Sequence, residues 1–194
     1  DSPQMQRLRN IKQLGFAYLV YPTATHTRFE HSLGTFHLAA RLAENIELDE
    51  DGAQKLKLAA LLHDVGHGPL SHTSEDVMKS HLGKEGRHED KTANLIKKSE
   101  LSDVIRNQGF KPEEIARITS GETQLGEILS GEIDIDRMDY LVRDSYYTGS
   151  AYGVIDLDRL LNVVKLYNRK LVLGADGLSA AESLVQGRYR EYQG

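Results

Sequence analysis

His63 and Asp64 put an imidazole and a carboxylate side by side where the apolar run Leu58-Ala59-Ala60-Leu61-Leu62 gives way to Val65-Gly66-His67-Gly68-Pro69. In a helix interior, adjacent side chains diverge by about 100°. At a last helical turn, with Gly66 free to redirect the chain, both can reach one ion. Imidazole and carboxylate without thiolate suit a borderline divalent metal: Mn, Fe, Co, Ni or Zn, less often Mg. Two donors leave a coordination shell unfilled, so further ligands must come from elsewhere in the chain. His31 is the upstream candidate. It follows Arg28 by three residues on the same helix face, an arrangement that makes sense if an anion such as a phosphate lies between them.

Asp136, Tyr140 and Asp144 recur at i, i+4 and i+8, one stripe of a helix. Such a stripe can place a carboxylate on a metal and, further along, a phenol and a second carboxylate on a polar ligand. Asp134, Arg137, Asp139 and Arg143 are then expected to serve partly as ion pairs and solvated face. His67, His72 and His88 are acid–base candidates, because histidine exchanges protons near neutral pH. Together these residues describe a metal-dependent hydrolase. His37 and His81 read as solvated or structural, and His26 as more structural than functional. Glu47, Asp49, Glu50 and Asp51 read as a solvent-facing acidic loop.

The elements that must position these groups are mostly helical. Met5, Leu8, Ile11 and Leu14 share a face and predict a helix over 4–14, with Gly15 as its stop. The run 16–21 reads as extended or irregular. Thr27 and Glu30 form a Thr-x-x-Glu capping box. It opens a helix over 28–46 whose core stripe is expected to be Phe29, Leu33, Phe36, Ala40 and Ala43. Further helices are predicted over 52–65, 74–82, 88–98, 112–119, 125–129, 136–145 and from Leu178 onward. The segments 163–167 and 170–173 flank Asn168-Arg169 as a β-hairpin. The class is mostly α, a helical bundle with a small hairpin near the C-terminus.

Composition narrows the partners. The 194 residues suffice for one domain, and a net charge of −5 argues against bulk nucleic-acid binding. There is no cysteine, hence no thiolate metal site or disulfide framework. No apolar stretch is long enough to span a membrane. Asp1-Ser2-Pro3-Gln4 shows no secretory pattern, so a cytoplasmic location is expected. The chain begins without lead-in and stops inside an apparent helix, as a piece of a longer chain would.

The order His31, His63-Asp64, Asp136 resembles the H…HD…D signature of the HD-domain phosphohydrolases. The likeness extends to Gln13-Leu14-Gly15, to the segment from His26 to Ser32, to that from Leu62 to His72, and to that from Asp134 to Asp144. These resemble the deoxynucleoside triphosphate triphosphohydrolase branch of the family. The resemblance implies an HD domain over 1–194, with His31, His63, Asp64 and Asp136 as metal ligands and His67, His72 and His88 at the phosphates, His72 being the favoured proton donor. It implies that Gln13 meets the sugar, Arg28 the α-phosphate and Arg137 and Arg188 phosphates, while Tyr140 and Asp144 read the deoxyribose. It further implies a dNTP substrate, a homo-oligomer and an allosteric nucleotide. Arg137 departs from a Lys, Tyr146 from a His and Thr27 from an Asn found in a better-known member of the branch. Other HD-type substrates (a nucleoside monophosphate, a cyclic nucleotide or (p)ppGpp) stay open, as does a non-catalytic regulator.

Overall fold

A computed structural model of the chain describes residues 1–71, 74–75, 77, 80–81, 87–168 and 170–191. Helices α1 (Pro3–Gln6), α2 (Arg28–Asn45), α3 (Glu50–Leu62), α4 (His88–Lys98), α5 (Glu100–Asn107), α6 (Pro112–Thr119), α7 (Gln124–Ser130), α8 (Ile135–Thr148) and α9 (Leu157–Val163) precede a hairpin of β1 (Val164–Tyr167) and β2 (Lys170–Leu173), and α10 (Leu178–Glu191) follows it. The mostly α class and the hairpin expected from sequence are both present. The hairpin is antiparallel, with Val164 opposite Leu173. The helix expected over 74–82 lies partly outside the described residues. Among the described residues, no helix is long and apolar enough to cross a membrane.

α2 is the central helix, packed on both α3 and α8, and α3 in turn meets α6 and α7. Fully buried Leu8, Leu42, Leu56, Ile96, Ile115, Ile128, Met138 and Leu141 make one continuous core between them. The capping box forms as expected: Thr27 Oγ1 accepts from the Glu30 nitrogen while the Glu30 side chain accepts from the Thr27 nitrogen. Asp49 caps α3 by accepting from the Gly52 nitrogen at 2.8 Å. Asp134 caps α8, and Gly149, at φ +72°, closes it in the left-handed conformation that favours glycine.

Three expectations are corrected. Leu33 and Phe36 are exposed, and the buried face of α2 is instead Phe29, His31, Ser32, Thr35, Leu38, Ala39, Leu42 and Ala43. The inward face carries the polar site residues, so the apolar stripe is narrower than periodicity alone implies. The helix over 4–14 is short: α1 runs into a 3-10 turn, Arg7–Asn10. Beyond it the backbone pairs with the segment before α2, through Gln13 N to His26 O and Arg28 N to Ile11 O. α5 was not anticipated; Ser99 caps it, and Leu101, Ser102 and Ile105 bury its face.

Candidate metal centre

Three parts of the bundle deliver the expected ligands. α2 supplies His31 from its first turn, the turn ending α3 supplies His63 and Asp64, and the first turn of α8 supplies Asp136. His31 Nε2 lies 2.9 Å from Asp136 Oδ1, 3.2 Å from His63 Nε2 and 3.7 Å from Asp64 Oδ2. His63 Nε2 lies 3.4 Å from Asp64 Oδ1 and 3.6 Å from Asp136 Oδ1. Metal bonds of about 2.0–2.2 Å, at angles between square and tetrahedral, put neighbouring donors roughly 2.8–3.6 Å apart. Four of these five spacings fall in that range and the fifth, His31 Nε2 to Asp64 Oδ2, is slightly longer at 3.7 Å; His31, His63 and Asp64 form a group close enough to hold one ion.

Tautomers agree with that assignment. His63 Nδ1 donates to the Ala60 carbonyl at 2.8 Å, and His31 Nδ1 donates to Asp139 Oδ2 at 2.8 Å. Each ring is thereby fixed with Nε2 toward the cluster, the usual arrangement around a ligating histidine. Asp139 is in turn gripped by Arg143, whose Nε and Nη2 each donate to one of its oxygens at 2.8 Å. The ion pair expected of these two residues is thus present, but Asp139 is buried behind His31 and is not part of a solvated face. Gly34 makes the support possible. A Cβ built there would overlap Asp139 Oδ1 and Arg143 Nη2.

The electrostatics favour a cation. Burial lowers the basicity of His31, but hydrogen bonds to Asp136 and Asp139 and the charge of Asp64 outweigh it and raise its pKa to about 10. Against burial, the charges of Asp64 and Asp136 also raise His63. Asp64 stays well below the ordinary carboxylate range: the Arg28 guanidinium, 2.5 Å away, and the neighbouring imidazoles overcome its burial. A site that binds a proton this strongly is built for positive charge, and a divalent ion fits its donor set. Replacing Asp139 with Asn removes the negative charge behind His31. We expect metal affinity to fall about 10–100-fold, as read by titration with Mn²⁺; wild-type affinity in the variant would rule out this supporting role.

The cluster forms part of the wall of a cavity of about 750 Å³, within the range of about 300–1,000 Å³ common for ligand sites. Gln13, Arg28, His67, His88, Tyr140 and Asp144 line the same cavity. Arg28 is buried and shared between Asp64 and the Ser71 hydroxyl. Ser71 and Leu70 both adopt positive φ, uncommon outside glycine. His67 stacks on His88 with ring centroids 3.9 Å apart and lies 3.3 Å from Asp64 Oδ1. Its burial drives its pKa down to about 3 despite Asp64, which favours the neutral imidazole. His88 is more open, with Nδ1 3.2 Å from Glu75 and 3.5 Å from Glu89.

His26, expected to be mainly structural, pairs with Asp144 at 2.6 Å and stacks on Tyr147, whose hydroxyl donates to Glu30. It therefore orients a cavity residue, a role its sequence position did not reveal. Arg137 turns back to Asp134 and the Glu132 carbonyl at the start of α8. Arg188, exposed on α10, acts electrostatically on Asp134 and is not among the cavity-lining residues. His72 lies outside the described residues. His37 and His81 are exposed, as expected.

Comparison with known proteins places this geometry. An uncharacterized protein of Methanocaldococcus jannaschii is 44% identical over 99% of this chain and 40% of its own length. A protein of Dictyostelium discoideum described as a deoxynucleoside triphosphate triphosphohydrolase SAMHD1 homolog is 32% identical over 97% of this chain and 40% of its own. A crystal structure of a phosphohydrolase from Bacteroides thetaiotaomicron superimposes with a TM-score of 0.85 at 33% identity, covering 98% of this chain and 47% of that one. The chain thus spans less than half the length of the curated relatives it matches. The HD domain model matches residues 28–144, from the arginine beside Asp64 to the carboxylate paired with His26. That interval encloses every candidate ligand of the cluster, and the chain belongs to the HD domain family.

Proposed function

We propose that this chain hydrolyses deoxynucleoside triphosphates to a deoxynucleoside and triphosphate, using a divalent metal held by His31, His63, Asp64 and Asp136. The observation that carries this reading is a single cavity whose wall joins that cluster to Arg28, His67 and His88 and to Gln13, Tyr140 and Asp144. The Dictyostelium relative, by its description, supports the choice of substrate.

A bound divalent ion supplies positive charge and Lewis acidity at the α-phosphate. The chain's own residues supply the rest. Arg28, already desolvated beside Asp64, shares its guanidinium with an α-phosphate oxygen and neutralises charge that grows as water attacks phosphorus. The bond from the α-phosphorus to the 5′-oxygen breaks, and the departing oxygen takes a proton. His88, with Nδ1 3.2 Å from Glu75 and its ring stacked on His67, is positioned to give it. His72 keeps its place in this proposal as the other donor. Gln13 meets the sugar, and Asp144, held by His26, accepts the 3′-hydroxyl. Tyr140 closes the space below C2′ and disfavours a ribose. Arg137 and Arg188 meet outer phosphates if the substrate draws them in. The reading includes a homo-oligomer and an allosteric nucleotide.

The test incubates the purified protein and Mn²⁺ with dGTP, GTP, dGMP, cyclic GMP or ppGpp, each alone and with a second dNTP as activator. Products are separated by chromatography. We expect deoxyguanosine and triphosphate from dGTP, at least ten times faster than guanosine from GTP. Equal rates, or turnover confined to dGMP, cyclic GMP or ppGpp, would transfer the site to another nucleotide. No turnover in any mixture would leave a binding protein.

A further inference from the structure

The turn that presents His63, Asp64 and His67 is short, and its carbonyls need partners once α3 has ended. Most are found locally or on α4. Leu62 O accepts from the Val65 nitrogen and Asp64 O from the His67 nitrogen. His63 O accepts from the Thr92 hydroxyl, which itself accepts from the Gly66 nitrogen. On this side the turn lies directly against α4, because Gly66 has no Cβ to hold it away from His88 and Thr92.

Val65 O and His67 O have a different partner, 58 and 60 residues distant in sequence. One nitrogen of the Arg7 guanidinium donates to both, at 2.5 and 2.6 Å. Arg7 stands in the 3-10 turn after α1, and its side chain is half-buried. Its charge lies at the C-terminal end of α3, where a cation is favoured by the helix dipole. The ligand turn is thus pinned on one side by Thr92 and on the other by Arg7. Neither residue is one of the clustered donors.

Resting on the metal-site reading above, we infer that Arg7 is a positioning residue for the metal centre: it fixes the backbone of residues 65–67 and thereby holds Asp64 and His67 in place. Thr92 anchors the turn at Gly66 and His63 on one side, and Arg7 fastens the two carbonyls that flank Gly66 on the other. The N-terminal segment is then part of the site, although it contributes no ligand. A second cavity, of about 410 Å³, opens behind the turn and is lined by Arg7, Gly66, His67, Gly68 and Lys91. A small guanidinium compound can therefore reach the position of the Arg7 side chain from solution.

The test uses Co²⁺ as the probe, because its visible absorption reports both occupancy and coordination geometry. Wild type, Arg7→Lys and Arg7→Ala are titrated with Co²⁺, and helix content is followed by circular dichroism. We expect Arg7→Ala to bind Co²⁺ about 10–100-fold more weakly, with a shifted absorption band and unchanged helix content. Arg7→Lys is expected to be intermediate, since an ammonium can donate to both carbonyls. Millimolar methylguanidine restores much of the affinity and the band of Arg7→Ala. Wild-type affinity and spectrum in Arg7→Ala, or a loss that methylguanidine leaves untouched, would overturn the inference. If Arg7→Ala does not fold, Arg7→Gln decides the matter by the same criteria. A wild-type protein that binds no Co²⁺ overturns the metal reading itself, an outcome distinct from failure of the Arg7 anchor.

Discussion

Asp64→Ala yields protein without bound metal and without hydrolysis, and it loses stability for a separate reason. Asp64 is one of the four clustered donors, and removing it opens the polyhedron formed with His31, His63 and Asp136. It is also the carboxylate facing Arg28, which is almost wholly buried. Taking away one member of a buried ion pair leaves a desolvated charge, at a cost of about 3–5 kcal/mol. For a chain of this size that lowers the melting temperature by roughly 6–20 °C. Comparing chelator-treated wild type with chelator-treated Asp64→Ala isolates the second effect, since neither then carries metal. Elemental analysis of the untreated proteins measures the first. Metal content equal to wild type in the variant would sink the assignment of the centre.

Gly66→Ala is the second large effect, and it arises from backbone atoms. The added Cβ would overlap the His88 carbonyl oxygen and the Thr92 nitrogen, which no rotamer change can clear, and would sit 2.5 Å from Thr92 Oγ1. The ligand turn must lift from α4, breaking the Gly66–Thr92 hydrogen bond and carrying Asp64 with it. Overpacking of this kind costs about 1–3 kcal/mol or more. We expect a melting temperature lower by roughly 2–12 °C together with weaker Mn²⁺ binding. Gly68→Ala is the control: among the described residues its Cβ meets only the Ser74 hydroxyl, at 3.4 Å. Matched thermal melts and Mn²⁺ titrations check both, and similar behaviour of the two variants would show that the close approach at Gly66 is unimportant.

The candidate ligand set could be assembled from sequence because each member belongs to a local pattern: a capping box that opens four residues before His31, a helix end at His63-Asp64, a periodic stripe from Asp136. The capping box fixed the start of α2 to the residue. What sequence hid depends on contacts between distant segments. Ile11 and Gln13 leave helical geometry to pair with Arg28 and His26, so the run over 4–14 divides although its apolar spacing is helical. Leu33 and Phe36 fit the apolar period of α2 yet face outward, because the inward face is taken by His31, Ser32 and Thr35 together with Leu38, Ala39 and Leu42. Asp139 and Arg143, spaced i and i+4, look like an ordinary surface pair until α8 is laid against α2. The partnership of His26 with Asp144 spans 118 residues and leaves no local trace.

Gly34 carries a lesson for anyone who would engineer this protein. Exchanging a mid-helix glycine for alanine is an ordinary route to a hardier enzyme, gaining about 0.4–1 kcal/mol by restricting the unfolded chain. Here that route is closed, because the missing methyl group is the space in which Asp139 and Arg143 lie. The central helix thus carries a standing weakness in its middle, one turn from His31, and selection for heat resistance would have to act at other positions. Robustness and chemistry compete for the same few cubic ångströms, and in this helix chemistry has prevailed.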